Sequence, residues 1–307
     1  MEEKIHIEEN SVQETLIIPL YGRMKSAEMY PDICADPAAE RLIQRLDYDF
    51  SKHDKAAESA FYRFGYLEAA KRCADMIIEI NDYLKDYPRA SVVNLGCGLD
   101  ETPKQCDNGS CAFYNVDLPD VIAARTAMLP AGERETNIPC DLTNHEWMDA
   151  IPNRNGTVFI APGVFYYLKT ADVKSLLIHM SQQFPNGKLT FDICNETGCK
   201  MMLKTFIKKS GIKDVGTFFS VSDAAREIAP WANKMRVVSK KYMTGYGPLR
   251  GRNITLFNKI MSFVADHFIK TRWSASILTK PHIRNRREIE SLRLHIRTNR
   301  QGNAGYN

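Results

Sequence analysis

A chain of 307 residues, 44% hydrophobic and 25% charged, has the length of one large α/β domain and the ordinary make-up of a globular protein with a real core. The formal net charge of +4 sits in the last segment: within 281–307, Arg284, Arg286, Arg287, Arg293, Arg297 and Arg300 stand against Glu288 and Glu290, six minus two, so the rest of the chain sums to zero, which argues against a broad nucleic-acid surface. The first ten residues, MEEKIHIEEN, lack the apolar h-region of a signal peptide, and no stretch approaches the run of about 18 apolar residues that a membrane helix needs; a soluble cytoplasmic protein without a membrane partner is expected.

In chain order, residues 11–50 carry Pro19, Pro31 and Pro37 between short helical patterns and read as a helical lid or arm, without sheet alternation. A long helix is expected from Ala56 to Tyr87, breaking near Gly65, with Leu67, Ala70, Cys73, Ala74, Ile77, Ile80 and Leu84 on one face at spacings of about three and four; Pro88 ends it. The rhythm then changes to short apolar strands, SVVNLG (91–96), AFYNVD (112–117), TNIPCDL (136–142), GTVFIAPGV (156–164) and GKLTFDIC (187–194). Helices are expected between them, one opening at Pro119 and one over 171–184 on Val173, Leu176, Leu177, Met180 and Phe184. A helix on MMLKTFIKKS stopping at Gly211, a segment AAREIAPW capped by Ser222 or Asp223, a strand over 234–243, a helix over 253–270 and a last strand SASILTK (274–280) complete the series. Alternating short strands and helices mean crossover connections and a mostly parallel sheet covered on both faces. The expected organisation is a lid over 1–55, a doubly wound domain over 56–283 with a substrate-side insert at 195–233, and a basic tail over 284–307.

The eight cysteines, Cys34, Cys73, Cys97, Cys106, Cys111, Cys140, Cys194 and Cys199, are expected as reduced thiols. Cys97, Cys106 and Cys111 lie nine and five residues apart with no second close pair or nearby His, so no zinc site is expected.

The stretch SVVNLGCGLDETP (91–103) carries the chemistry. Ligands of open α/β sheets bind at the C-terminal ends of the strands near the topological switch point, and the first strand of this sheet runs into Gly96 and Gly98, where the backbone can bend against a ligand. Asp117 closes the next strand, where a carboxylate can accept both hydroxyls of a ribose. A dinucleotide turn would carry a third glycine opening directly into a helix for its pyrophosphate; here that position is Glu101, followed by Pro103. The ligand is therefore read as a nucleoside without phosphate, and S-adenosylmethionine fits. Asp141 ends the third strand, where it either bonds an adenine, with Leu142 on the ring, or caps the next helix. FIAPGVFYYL (159–168) ends the fourth, with Gly163 and two tyrosines suited to a pocket wall.

Together TLIIPLYGR, VVNLGCGLD, YNVDLPDVIAAR, CDL and APGVFYYL resemble the leucine carboxyl methyltransferase and polyketide O-methyltransferase family of class I S-adenosylmethionine-dependent methyltransferases, over about residues 11–283. The resemblance implies a Rossmann-like α/β fold, a seven-stranded mostly parallel sheet with helices on both faces and an N-terminal helical lid, and O-methylation of a carboxylate or hydroxyl of a small molecule. It also implies site residues. Arg72 would grip the cofactor's carboxylate; Gly96, Cys97 and Gly98 would form the cofactor turn; Asp117 and Leu118 would meet the ribose, Asp141 and Leu142 the adenine, and Ala161 and Pro162 the wall beside them. Tyr167 would be the catalytic aromatic, with Tyr21, Arg23 and Tyr166 facing the substrate. Relatives often carry Glu where this chain has Pro162, and a proline cannot make that glutamate's contact with the cofactor's amino end.

Three readings follow. The first is the O-methyltransferase, whose substrate needs a base only if it is a hydroxyl. The second, motivated by Pro162, is a catalytically impaired S-adenosylmethionine-binding protein acting through a protein partner. The third, an NAD-dependent oxidoreductase, is disfavoured by Glu101 and the absent third glycine.

Overall fold

In a computed structural model the protein is described over residues 4–7, 12–51, 54, 59–202, 218–232 and 235–277. The elements are β1 (Ile5–His6), α1 (Val12–Met29), α2 (Pro37–Arg45), β2 (Leu46–Asp47), α3 (Ala60–Asp86), β3 (Ser91–Leu95), β4 (Ala112–Asp117), α4 (Pro119–Met128), β5 (Glu135–Pro139), β6 (Thr157–Ala161), α5 (Thr170–Gln183), β7 (Lys188–Ile193), α6 (Glu196–Met202), α7 (Ala224–Glu227), β8 (Arg236–Lys241), α8 (Leu256–Val264) and β9 (Arg272–Ile277). A five-residue π turn, Ala265–Ile269, extends α8.

Seven strands form one sheet in the order β5-β4-β3-β6-β7-β9-β8. The first five are parallel, and β9 runs antiparallel to both β7 and β8. The chain steps from β3 to β4 in one direction and later returns to place β6 on the other side, so the switch point lies between the C-terminal ends of β3 and β6. The central strands are apolar throughout because both faces are covered. Val93, Leu95, Phe159 and Ala161 face one layer with α5, and Val92, Val158 and Ile160 face the other with α3. Each fully buried Leu, Ile or Phe in these layers contributes about 1.5–3 kcal/mol. The expected faces hold: Leu67, Ala70, Ile80 and Leu84 of α3 are buried, as are Val173, Leu176, Leu177 and Met180 of α5.

Local chemistry sets the boundaries. Asp36 caps α2 through Ala39 N–H at 2.9 Å with Pro37 in its first turn. Ser59 caps α3 and Asp223 caps α7. Thr255 and Asn258 form a reciprocal capping box on α8.

Four expectations need correction. The long helix does not break at Gly65; it runs unbroken from Ala60 to Asp86, because one glycine costs only about 1 kcal/mol of helix stability and the flanking Phe64, Tyr66 and Leu67 are buried. The front piece is not wholly helical, since β1 and β2 form a short parallel pair. The cysteines are not all thiols, since Cys34 and Cys73 are disulfide-bonded, joining the loop after α1 to α3. The helix after β7 already starts at Glu196, and the rest of that expected segment through Gly211 lies outside the described residues, as does the basic tail. Among the described residues no helix is long and apolar enough to cross a membrane.

Candidate active site

A cavity of about 930 Å³ opens at the C-terminal ends of β3, β4, β6 and β7, beneath α1 and beside α3 and α8. That is at the upper end for ligand pockets, enough for two molecules side by side. Its floor is the turn after β3. Gly96 is left-handed at φ +63°, and a Cβ there would lie 2.6 Å from Val164 Cγ2, so only glycine lets the turn pass under the loop after β6. Gly98 N–H donates to Asp117 Oδ2 at 2.8 Å and Leu118 N–H to Oδ1 at 2.8 Å, which locks the Asp117 carboxylate at the strand end. Burial nonetheless raises its carboxyl above the usual range. The Cys97 thiol, also on the wall, is pushed up to about 12 by burial and is inert as a nucleophile.

Arg72, on α3, reaches across to the other side of the switch point. Its Nε donates to the Tyr242 hydroxyl at 3.0 Å and its Nη2 to Asp192 Oδ2 at 3.1 Å. Burial opposes its charge, but Tyr242 and Asp192 outweigh it and hold the guanidinium protonated. Among the described residues Nη1 has no hydrogen-bond partner, and it lies against Gly163, where a Cβ would come within 3.1 Å. Asp192, the last residue but one of β7, is 1% exposed; its Oδ1 also accepts from Gly163 N–H at 2.6 Å. One carboxylate thus spans the arginine and the loop that carries Pro162.

The lid side comes from α1. Arg23 donates through Nε to Asp36 at 2.7 Å and through Nη1 to Leu99 O at 3.0 Å, with Asp100 at 3.4 Å. Burial works against the Asp100 charge, yet Arg23 and the Thr102 hydroxyl and N–H outweigh it and hold its carboxyl below the usual range. The Tyr21 hydroxyl donates to Asp54 at 2.5 Å, and burial with that carboxylate raises its pKa. Tyr166 is buried and Tyr167 is 40% exposed on the wall; burial raises both phenols.

The structure brings most of the expected residues to one cavity: Tyr21, Arg23, Arg72, Gly96, Cys97, Gly98, Asp117, Pro162, Tyr166 and Tyr167 all line it. Leu118, Asp141, Leu142 and Ala161 are not on that wall. Ala161 is buried in the sheet and Leu142 packs in the core, while Leu118 is exposed. Asp141 is exposed and caps a turn by accepting from the Thr143 N–H and hydroxyl at 2.8 Å each. It follows β5, whose neighbour β4 ends in Asp117, and Cys140 N–H donates to Asp117 O at 2.8 Å. Glu101, the acid used against phosphate, faces away from the cavity toward Lys104 at 2.6 Å and Arg125 at 3.8 Å; Asp100 is the acid of that turn on the wall.

Sequence reasoning missed Asp192, Tyr242 and Glu68. Asp192 had a readable signal, an acid at the end of an otherwise buried strand next to the switch point. Tyr242 and Glu68 had none, because their place depends on how α3 packs on the sheet.

The chain matches the family model of leucine carboxyl methyltransferase over residues 20–181. It is 30% identical over 182 residues to the tetracenomycin polyketide synthesis O-methyltransferase TcmP of Streptomyces glaucescens, covering 59% of this chain and 65% of that one. It is 24% identical over 233 residues to the S-adenosyl-L-methionine-dependent methyltransferase dpfgK of Gibberella zeae, covering 70% of this chain and 77% of that one. In fold it is similar to a DUF574 family protein from Streptomyces avermitilis, with a TM-score of 0.53 at 10% identity over 85% of this chain and 97% of that one. A match across more than half of the chain, on a seven-stranded sheet with β9 antiparallel at one side, makes this protein a member of the leucine carboxyl methyltransferase family, with S-adenosylmethionine as its cofactor.

Proposed function

We propose that this protein transfers a methyl group from S-adenosylmethionine to an oxygen, carboxylate or hydroxyl, of a small molecule held under α1. The observation that carries this reading is the Arg72–Asp192 pair at the switch point. A guanidinium with one free nitrogen beside a buried carboxylate is complementary to a zwitterionic amino-acid end, with its carboxylate on Arg72 and its ammonium on Asp192. The left-handed turn at Gly96 keeps open the space that a side chain would fill, and Asp117 retains acceptor capacity for ribose hydroxyls. The residues that line the cavity therefore fit the cofactor: Gly96, Cys97 and Gly98 under it, Asp117 at the ribose, and Pro162 beside the amino-acid end; Leu118, Asp141, Leu142 and Ala161 lie off that wall and are given no contact with it.

The bound sulfonium supplies an already activated methyl group. What remains for the chain is alignment and exclusion of water, a role for Tyr21, Arg23, Tyr166 and Tyr167 around the acceptor. The impaired-enzyme reading rested on Pro162. Asp192, which accepts from Arg72 and from Gly163 N–H, can offer the amino end a carboxylate that Pro162 cannot, and this weakens the motive for that reading.

Incubation with methyl-labelled S-adenosylmethionine and a panel of aromatic acids and phenols tests the proposal. Labelled ester or ether is expected from at least one member; label that stays wholly on the cofactor across the panel would refute it.

A further inference from the structure

Among the described residues the charged side chains on the cavity wall are Glu14, Glu68, Asp100, Asp117, Asp192, Arg23 and Arg72. All but one are engaged. Arg23 is held by Asp36, Asp100 and Leu99 O, and its remaining nitrogen is buried. Arg72 is held by Tyr242 and Asp192, and its free nitrogen belongs to the cofactor side. Asp100, Asp117 and Asp192 accept backbone N–H groups, and Glu14 accepts the Tyr48 hydroxyl. The exception is Glu68. Among the described residues no donor reaches its carboxylate; its backbone oxygen alone accepts, from the Tyr242 hydroxyl at 3.3 Å.

Its position is specific. Glu68 precedes Arg72 by one turn of α3, about 6 Å along the axis. Because α3 leads into the start of β3, its N-terminal end lies at the cavity edge of the sheet, and Glu68 stands farther out than Arg72, toward the lid. The same cavity is lined by the aromatic and thioether side chains Phe61, Tyr62, Tyr66, Met201 and Met261, which suit a flat ring.

Resting on the methyltransferase reading above, we propose that Glu68 is the general base for the acceptor, and that the acceptor is a neutral aromatic hydroxyl rather than a carboxylate. Among the described residues the five acids outnumber the two arginines, both already engaged, so an incoming carboxylate would meet only the cofactor's sulfonium as a counter-charge once it is desolvated. A phenol brings the one thing Glu68 lacks, an O–H donor. In the step, the phenol proton passes to the Glu68 carboxylate and the oxygen lone pair forms the new C–O bond to the methyl carbon. The C–S bond breaks with its electron pair left on sulfur, which becomes a neutral thioether, and Glu68 then returns its proton to water. Burial pushes the Glu68 carboxyl up to about 7; Arg72 on its own helix draws it down, while Asp192 on β7 and Asp266 on the π turn push it up. A base so placed is half ionised near neutrality, which favours proton transfer.

The test uses the full chain saturated with S-adenosylhomocysteine, into which 2-naphthol and 2-naphthoate are titrated separately by calorimetry. Saturable binding of S-adenosylhomocysteine comes first; its absence removes the methyltransferase reading and this proposal with it. With it present, 2-naphthol is expected to bind at least about tenfold more tightly than 2-naphthoate. Glu68→Gln is expected to lose that preference while keeping its affinity for S-adenosylhomocysteine, which also shows that the variant is folded. With S-adenosylmethionine, methylation of 2-naphthol is expected to fall about 100-fold in Glu68→Gln, with loss of the acid limb of the pH profile, and to recover in part in Glu68→Asp. Equal or tighter binding of 2-naphthoate, binding of neither probe, or a Glu68→Gln variant with the wild-type rate and pH profile would overturn the proposal.

Discussion

Glu68 and Glu79 belong to the same helix, eleven residues apart, about 16 Å along its axis, at opposite edges of the sheet. Glu79 is 3% exposed, yet its carboxyl lies at about 2: burial works to raise it, and Lys188, Lys240 and the Tyr246 hydroxyl outweigh that. Among the described residues Glu68 has no such partners, and burial leaves it at about 7. Residue type and helix are the same, so the inventory of partners brought by other elements decides the sign. At the lower edge that inventory is complete and serves the fold. At the upper edge it is one donor short, as expected where a ligand completes it.

The largest expected effect comes from breaking the complete side. Glu79→Gln leaves two lysines without their shared counter-charge and is expected to cost about 3–5 kcal/mol, read as a fall in melting temperature; an unchanged melt would void the contrast. The wild-type contribution has a definite pH sense. Because the native carboxyl lies at about 2 rather than 4.5, this stabilisation is full above about 4.5 and is lost as pH falls toward about 2.

Next comes the turn on the open side. Gly96→Ala forces a Cβ to within 2.6 Å of Val164 in a left-handed backbone. It is expected to cost about 3 kcal/mol and to abolish calorimetric binding of S-adenosylhomocysteine. A variant that melts and binds as wild type would show that the turn is not the cofactor's floor.

Glu68→Gln sharpens the contrast by reversing its sign. With the native carboxyl raised, the folded chain holds its proton more tightly than the unfolded chain does, so the acid destabilises the fold above about 7 and is neutral below about 4.5. The variant is expected to be more stable than wild type by about 3 kcal/mol at about pH 8, a gain that fades to nothing as pH falls toward 4.5. Loss of stability at about pH 8 would mean that Glu68 has a partner in the folded chain.

The smallest effect belongs to a third acid. Glu196 pairs with Lys200 at 2.6 Å, with both side chains 73% exposed. Glu196→Gln is expected to leave the melting temperature and its pH dependence unchanged, because a solvated pair gains little. A marked shift would show that pairing without burial is enough.

What the sequence made legible was local. A strand, its glycine turn and the next strand's terminal acid lie within about thirty residues of each other, and each signal is visible in the residues themselves, so the place of Gly96, Gly98 and Asp117 on one cavity wall could be read directly. The alternation of strands and helices gave the parallel sheet, and the buried faces of α3 and α5 followed from their spacing. What failed depended on distance in sequence. Asp192 meets Gly163 across 29 positions and Arg72 across 120; the acid itself stands out in an apolar strand, but neither of its partners can be read from the residues around it. Glu101 was misread for the opposite reason. It adjoins the turn in sequence, but the short helical turn at Thr102–Cys106 carries it toward Lys104 and Arg125. The Cys34–Cys73 link likewise joins residues 39 positions apart, invisible to spacing arguments. The break expected at Gly65 failed because burial of its neighbours overrides a weak local preference.

The central claim, that Asp117 and the glycine turn hold S-adenosylmethionine at the switch point, is tested most directly by calorimetric titration of S-adenosylhomocysteine into the wild-type chain and Asp117→Ala. The account expects saturable one-site binding by wild type and at least about tenfold weaker binding by the variant, through loss of the ribose hydrogen bonds proposed for Asp117. Absence of binding at about millimolar ligand, or equal affinity in the two proteins, would contradict it.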